Sequence, residues 1–135
     1  MKPENIKTLV RYRIEQSQAA LDDAQYLLDA KRTPVSIVNR SYYAMFYAAL
    51  ALLQTVGKVP SRHSGVLSLF SQEFVLKDIL PRELGRDIHR VFDLRQTSDY
   101  EVVPPLDEKI AADTLQKAAG FVSAVKAYLS KEDWR

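Results

Sequence analysis

The spacing of apolar residues along the chain predicts five helices. Apolar positions recur every three or four residues from Ile6 to Leu28, which predicts a long amphipathic helix over about residues 4–30. Thr33-Pro34 predicts the start of a second helix, with threonine as its N-cap and proline at its first position, and Gly57 predicts its end. This second helix is apolar nearly all round, so we expect it at the centre of a bundle or in a dimer interface.

The three remaining helices are marked by polar or proline residues at their starts. Ser61 is predicted to cap a shorter third helix, and Pro81 stands in the first turn of a fourth that Val103-Pro104-Pro105 ends. Asp107 is expected to cap the fifth, after which residues 131–135 are expected to fray. No strand pair or internal repeat is visible. We therefore predict an all-α, up-and-down bundle of four to five antiparallel helices.

Composition narrows the class of protein further. A chain of 135 residues that is 47% hydrophobic and 27% charged fits one globular domain over residues 1–135, with its core over about 5–130. The sequence has no cysteine and only two histidines, so we expect neither a disulfide nor a metal site, and no cofactor. The net charge of +2 permits an anionic partner without requiring one.

The apolar segments also predict where the protein is found. The charged N-terminal segment lacks the apolar core of a signal peptide, and no stretch reaches the length of a membrane span. The longest apolar stretch, residues 42–53, is expected to be a buried helix. We therefore expect a cytoplasmic protein with no membrane contact.

Arg95 breaks the apolar pattern of the fourth helix. Leu84, Ile88 and Val91 form one stripe, and Arg95 is the next position on it. Asp99 follows four residues later, so the two side chains share a helix face and can pair. This pattern has two interpretations that the sequence leaves open. One is a structural ion pair, and the other is an anion site in which the planar guanidinium faces a phosphate.

Two further basic residues raise the same question. Arg40 either covers core surface with its aliphatic stem or contributes to an anion site beside Tyr43. His63 lies in the turn before the third helix, where it either hydrogen-bonds the backbone or helps the helix N-terminus to hold an anion. His89 is expected at the surface. The aromatic cluster at residues 42–47 is expected to be core or dimer interface rather than a platform for stacking bases.

Three segments of the chain, in order, resemble one known family. They are IVNRSYYAMF at 37–46, SRHSG at 61–65 followed by Phe70, and FDLRQTSDY at 92–100. Their order and spacing resemble the HEPN superfamily, specifically its UPF0332 branch, over roughly residues 5–130. The resemblance implies a helical bundle that is usually a homodimer. It also implies a minimal nucleotidyltransferase as partner, in a toxin–antitoxin type of module.

The resemblance also assigns a role to Arg95. In the ribonuclease branches of the superfamily, an arginine is followed four to six residues later by a histidine, and two such motifs meet at the dimer interface to cut RNA without metal. Arg95 matches that arginine, but Asp99 and Tyr100 stand where the histidine would fall. An ordinary aspartate is too weak a base for this reaction, so Asp99 is expected mainly to orient Arg95. His63 supplies an imidazole only if the fold brings it beside Arg95.

Tyr100 is a candidate for modification. In related modules the nucleotidyltransferase adenylylates a tyrosine close to the HEPN motif, and Tyr100 is the tyrosine nearest to Arg95. The alternative is a partly buried tyrosine that anchors the end of the helix. The sequence does not decide between them.

The leading hypothesis is a homodimeric binding protein that partners a minimal nucleotidyltransferase. It holds nucleotide or RNA phosphate through Arg40, Tyr43, His63, Arg95 and Asp99. The first alternative is a metal-independent endoribonuclease toxin whose catalytic candidates are Arg95, Asp99 and His63. The second alternative is a purely structural dimerisation module in which Arg95 and Asp99 only pair.

Overall fold

The computed structural model describes residues 2–100 and 106–134, with side chains for all of these except 97–100. Within these ranges the chain forms helices and no strand, which confirms the all-α prediction. The elements in chain order are α1 (Pro3–Asp29), α2 (Pro34–Thr55), α3 (His63–Phe70), a π-helical turn (Ser71–Val75), α4 (Arg82–Tyr100) and α5 (Glu108–Lys131).

Helix α2 is the centre of the bundle, as its apolar sequence predicts. It packs against each of the other four α-helices. Its fully buried large side chains are Ile37, Tyr42, Met45, Leu52 and Leu53. Burial of each such side chain stabilises the fold by about 1.5–3 kcal/mol, so this helix fixes the positions of its neighbours.

The predicted ends of α2 and α5 agree with the structure in most details. Gly57 adopts φ +70° just beyond the end of α2, and Asp107 Oδ1 accepts a hydrogen bond of 2.8 Å from the backbone N–H of Ile110. Thr33 is the N-cap of α2, but its hydroxyl pairs with the Ser36 hydroxyl at 2.8 Å instead of a backbone N–H. Proline at the first position of α2 leaves one fewer N–H to cap.

The start of α3 differs from the sequence prediction. Ser61 is not the cap, because the chain stays extended through Arg62 and the helix begins at His63. The loop before the helix packs against its first turn, where a Cβ on Gly65 would lie 3.0 Å from Pro60 Cβ. Glycine at this position therefore allows the loop to pack closely on the helix, whose first residue is His63.

The third helix continues into a π-helical turn that the sequence did not predict. The N–H of Leu76 donates to the carbonyl of Ser71 at 2.8 Å, the five-residue spacing of a π turn. Gly85 of α4 packs against this turn, since a Cβ there would lie 3.3 Å from Val75 Cγ2. The turn buries Phe74 and Val75 while leaving Leu76 at 74% exposure.

Helix α4 carries the stripe that contains Arg95. Leu84, Ile88 and Val91 are buried, as predicted, and Arg95 follows them at half burial. The predicted break at residues 103–105 lies outside the described residues. The prediction of a frayed C-terminus was wrong for Trp134. Its side chain packs on the core, and its backbone N–H donates to the Leu129 carbonyl at 2.8 Å.

Among the residues that the structure describes, no helix has both the length and the apolar character needed to cross a membrane.

Glu73 ties the loop after α2 to the π turn, and it gives the fold a testable pH dependence. Lys58 Nζ and Lys77 Nζ donate to its two oxygens at 2.6 and 2.7 Å, and these hydrogen bonds lower the pKa of Glu73 from 4.5 to about 2. A lowered folded-state pKa stabilises the fold above pH 4.5, and this contribution is lost as the pH falls towards 2. The Glu73→Gln variant should therefore lose less stability than the wild type between these pH values.

Urea unfolding from pH 2 to pH 7 measures this difference. The control is Glu15→Gln, at an exposed position of α1. Parallel stability curves for Glu73→Gln and the wild type below pH 5 would contradict the assigned interaction.

Candidate functional site

The guanidinium of Arg95 rests on aromatic rings of α2. Its Cζ lies 5.3 Å from the ring centre of Tyr42 and 5.2 Å from that of Tyr43. Its Nη2 also donates to the Tyr43 hydroxyl at 3.3 Å. Aromatic faces attract cations through their quadrupole, which explains how an arginine occupies a position on the core stripe of α4.

His63 reaches the same rings from the tip of α3. Its imidazole stacks on Phe46, with ring centres 4.1 Å apart, and its Nδ1 lies 2.9 Å from the Tyr42 hydroxyl. Burial lowers the pKa of His63 below its ordinary value of 6.5, and the charge of Arg95 lowers it further. The imidazole is therefore mostly neutral at pH 7, and both its plane and one of its nitrogens are held in place.

Tyr42 controls which nitrogen of His63 a ligand can meet. Burial raises the pKa of Tyr42 well above its ordinary value, so its hydroxyl keeps its proton. If that hydroxyl donates to Nδ1 of His63, the imidazole proton is on Nε2. If Nδ1–H donates instead, Nε2 is an acceptor. In both tautomers Nδ1 is engaged by Tyr42, and Nε2 is the nitrogen that remains for a ligand.

Arg95 and His63 share an open pocket of about 360 Å³ between the start of α3 and the second half of α4. Its lining residues are Tyr43, His63, Ser64, Phe92, Arg95 and Gln96. None of them carries a carboxylate. The first turn of α3 borders the pocket, and Arg62 at its N-cap makes no side-chain cap, so backbone N–H groups there favour an anion. We call this site the Arg95 pocket.

The structure brings together three of the five residues that the sequence nominated for binding. Tyr43, His63 and Arg95 line the Arg95 pocket. Arg40 lines a neighbouring pocket instead, where it donates to Asn39 Oδ1 at 3.0 and 3.2 Å. Its guanidinium lies 5.0 Å from the Tyr43 ring centre, so it reaches the site only through that shared ring.

The remaining sequence candidates lie at the end of α4. The backbone of Asp99 and Tyr100 is helical, but their side chains lie outside the described residues. The pairing of Asp99 with Arg95 and the modification of Tyr100 therefore stay predictions. His89 is exposed, as expected, and its Nδ1 donates to the Gly85 carbonyl at 2.8 Å.

Sequence reasoning missed four contributors to the site. Ser64, Phe92 and Gln96 line the pocket, and the sequence signal for them was their position next to His63 or within one turn of Arg95. Tyr42 was assigned to the core, where it does lie, but its hydroxyl also orients His63. No local pattern distinguishes a buried tyrosine with this second role.

In the described part of the chain, the side chains that could bind a metal ion do not cluster. No group of three or more histidine and acidic side chains there is arranged to hold a metal ion. At the Arg95 pocket, a guanidinium that can bind an anion lies beside the imidazole of His63.

The protein is an all-α bundle in which Arg95 of α4 packs against two tyrosines of the central helix α2. Comparison with known proteins identifies its family. The family model described as HEPN domain matches residues 10–128, and the chain belongs to that family. A "UPF0332 protein" of Thermotoga maritima is 40% identical over 118 residues, covering 87% of this chain and 89% of that protein.

Two relatives from Methanocaldococcus jannaschii have names that refer to activity. "Putative toxin MJ0142" is 34% identical and covers 86% of this chain and 78% of its own length. "Putative toxin MJ0605" is 31% identical and covers 95% of this chain and 94% of its own length.

The pKa of His63 tests the geometry of the Arg95 pocket. In the wild type, the imidazole should titrate below 6.5 in an NMR pH titration, because of its burial and the nearby guanidinium. The Arg95→Met variant keeps an unbranched stem and removes the charge, so the pKa of His63 should rise part of the way back. Arg11→Met, at an exposed position of α1, is the control and should leave it unchanged. An identical His63 titration in the wild type and Arg95→Met would contradict the placement of these two side chains.

Proposed function

We propose that this chain is a toxin-like HEPN protein that binds an RNA phosphate in the Arg95 pocket. The observation that supports this most is the shared pocket of Arg95 and His63, which come from different helices. Family membership and the two relatives named as toxins support the coarser part of the proposal.

Each part of the pocket has a role in this proposal. The guanidinium of Arg95 pairs with two phosphate oxygens, and the first turn of α3 adds backbone donors. His63 Nε2–H donates a further hydrogen bond. The half-buried rings of Tyr43 and Phe92 offer apolar surface to a ribose or a base. Single-stranded RNA presents a phosphate and an unstacked base together, which matches this combination.

The proposal keeps the partners that the HEPN resemblance implies. The chain acts as a homodimer, which doubles the number of Arg95 pockets, and a minimal nucleotidyltransferase is its partner. In this arrangement Asp99 orients Arg95, Arg40 steadies the Tyr43 ring from the neighbouring pocket, and Tyr100 is the residue open to modification.

Binding to a minimal RNA tests the proposal. The probe is a 2′-O-methyl uridine dinucleotide, which carries one internucleotide phosphate and lacks the hydroxyl that cleavage requires. It should shift the amide signals of His63, Ser64 and Gln96 and raise the pKa of His63, because the phosphate offsets the charge of Arg95. Arg95→Met should weaken binding roughly 10- to 100-fold, the value of a charge-assisted hydrogen bond.

The control for this titration is Arg11→Met, which should bind as the wild type does. The proposal is wrong if the dinucleotide shifts no signal around the Arg95 pocket. If Arg95→Met instead weakens self-association without any effect of RNA, the pocket is a structural interface, as the dimerisation hypothesis states.

A second candidate function, metal-independent RNA cleavage, is favoured by the position of His63. The imidazole lies in the same pocket as Arg95, where the family's ribonucleases need a histidine, and its lowered pKa keeps it neutral. In the tautomer whose Nδ1–H donates to Tyr42, Nε2 can take the proton of a ribose 2′-hydroxyl. The freed oxygen then attacks the adjacent phosphorus, a 2′,3′-cyclic phosphate forms, and the 5′ oxygen leaves with a proton from the solvent or from His63.

Cleavage of unmodified oligouridylate in the presence of EDTA tests this second function. The wild type should yield products that end in a 2′,3′-cyclic phosphate, and both His63→Ala and Arg95→Ala should abolish cleavage. Arg11→Ala, at an exposed position of α1 away from the Arg95 pocket, is the control. Cleavage that survives either His63→Ala or Arg95→Ala, or that EDTA stops, would exclude this mechanism.

A further inference from the structure

A second basic pocket lies between the π turn and the first half of α4. It encloses about 510 Å³ and is lined by Ser71, Val75, Leu76, Arg82, Gly85, Arg86 and His89. None of these residues belongs to the Arg95 pocket. Within the described residues, Arg82 and Arg86 form no ion pair, since the three that are found there involve Lys7, Lys58 and Lys77.

The two pockets lie along the same side of α4. Arg82, His89 and Gln96 are spaced by seven residues, which places them on one face of the helix. Arg82 and His89 line the second pocket, and Gln96 lines the Arg95 pocket. This face is about 21 Å long at 1.5 Å per residue, which suits roughly six stacked nucleotides.

The opposite wall carries a row of hydroxyl groups. Ser64 lines the Arg95 pocket, Ser71 lines the second pocket, and the exposed Ser68 lies between them on α3. Their spacing of four and three residues places all three on one helix face. The two pockets and this wall together form what we call the α3–α4 groove.

Charge is divided between the two flanks of α4. Among the residues whose side chains the structure describes, those that line the two pockets of the α3–α4 groove include no carboxylate. The pocket on the other flank, towards α5, is lined by three carboxylates and one lysine: Glu83, Asp87, Asp113 and Lys117. The net charge of the chain is only +2, but Arg82 and Arg86 both lie on the flank of α4 that borders the groove. Asp93 is exposed near the groove without lining either pocket, and its charge opposes an anion there.

His89 adds a third group that can meet an anion. Its Nδ1 must carry a proton, because its partner is the Gly85 carbonyl, which only accepts. Its Nε2 is then an acceptor in the neutral ring and a donor in the protonated ring. The second pocket thus combines two guanidinium groups and an imidazole with the aliphatic side chains of Val75 and Leu76.

We propose that the α3–α4 groove is an extended binding site for single-stranded RNA. Arg82 and Arg86 hold phosphates of nucleotides that flank the one in the Arg95 pocket, and the serine row donates hydrogen bonds to the backbone. Leu76, at 74% exposure, contacts a ribose or base. This inference rests on the proposed function, because it assigns the path by which the same RNA continues. A peptide partner accounts less well for a row of serines that begins at the Arg95 pocket and reaches the second pocket.

Two probes separate the groove from the Arg95 pocket. The 2′-O-methyl uridine dinucleotide fits the Arg95 pocket alone, whereas the corresponding octanucleotide reaches along α4. The double variant Arg82→Gln, Arg86→Gln should weaken octanucleotide binding and leave dinucleotide binding unchanged. The slope of log affinity against log salt for the octanucleotide should fall by about 1.4, since each neutralised phosphate on a single strand contributes about 0.7.

Two further variants sharpen the experiment. Arg11→Gln with Arg32→Gln removes two exposed arginines from α1 and the turn after it and should leave octanucleotide binding unchanged. Asp93→Asn removes a repelling charge and should tighten binding of the octanucleotide. We therefore expect tighter octanucleotide binding by Asp93→Asn and weaker binding by the Arg82, Arg86 double variant. The Arg11, Arg32 double variant should bind as the wild type does.

The outcomes distinguish this inference from the proposed function. The inference is overturned if the octanucleotide binds but is insensitive to the Arg82, Arg86 double variant, whereas dinucleotide binding still supports the Arg95 pocket. Octanucleotide binding that needs Arg82 and Arg86 but not Arg95 supports the groove and refutes the proposed function. If neither probe binds, both fail. Signals of Leu76 and Arg86 that respond to an acidic amphipathic helical peptide and not to RNA would make the groove a protein-docking surface and overturn the inference.

Discussion

The packing of Arg95 on the rings of Tyr42 and Tyr43 is the interaction on which the site depends. A guanidinium at half burial loses hydration, and the electron-rich ring faces and the Tyr43 hydroxyl compensate for that loss. Because both rings belong to the most buried helix of the bundle, the cation is held on a rigid surface. A charge held this way needs little reorganisation when an anion arrives, which is what an efficient phosphate site requires.

Tyr42 extends this arrangement to α3. The ring that lies under Arg95 also places its hydroxyl 2.9 Å from His63 Nδ1, so one buried side chain positions both groups. The consequence is electrostatic as well as geometric, because burial and the nearby guanidinium both lower the pKa of His63. The imidazole in the Arg95 pocket therefore comes from α3, whereas the guanidinium comes from α4. Whether Nε2 of this imidazole donates or accepts a hydrogen bond depends on where the hydrogen between Tyr42 and Nδ1 lies.

The sequence predicted the features that depend on local spacing. Five helices, the buried stripe of α4, the exceptional position of Arg95 and the Asp107 cap all follow from periodicity and capping chemistry. The missed features depend on tertiary contacts. Pro60 packs closely against Gly65 in the first turn of α3, a contact that no local pattern predicts. His63 meets Arg95 because α3 and α4 both pack on α2. The π turn has no local signature, although it determines where Leu76 and the groove lie.

Membership in the HEPN domain family and the toxin names of two relatives indicate a class of protein. That an RNA phosphate binds in the Arg95 pocket is a more specific claim. The most direct measurement of that claim is a crystal structure of the protein with the 2′-O-methyl uridine dinucleotide. We predict that the internucleotide phosphate lies within hydrogen-bond distance of the Arg95 guanidinium and of His63 Nε2, and that the Tyr42 hydroxyl keeps its hydrogen bond with Nδ1. A dinucleotide bound elsewhere, or an Arg95 that leaves the Tyr42 and Tyr43 rings with no phosphate in its pocket, would contradict it.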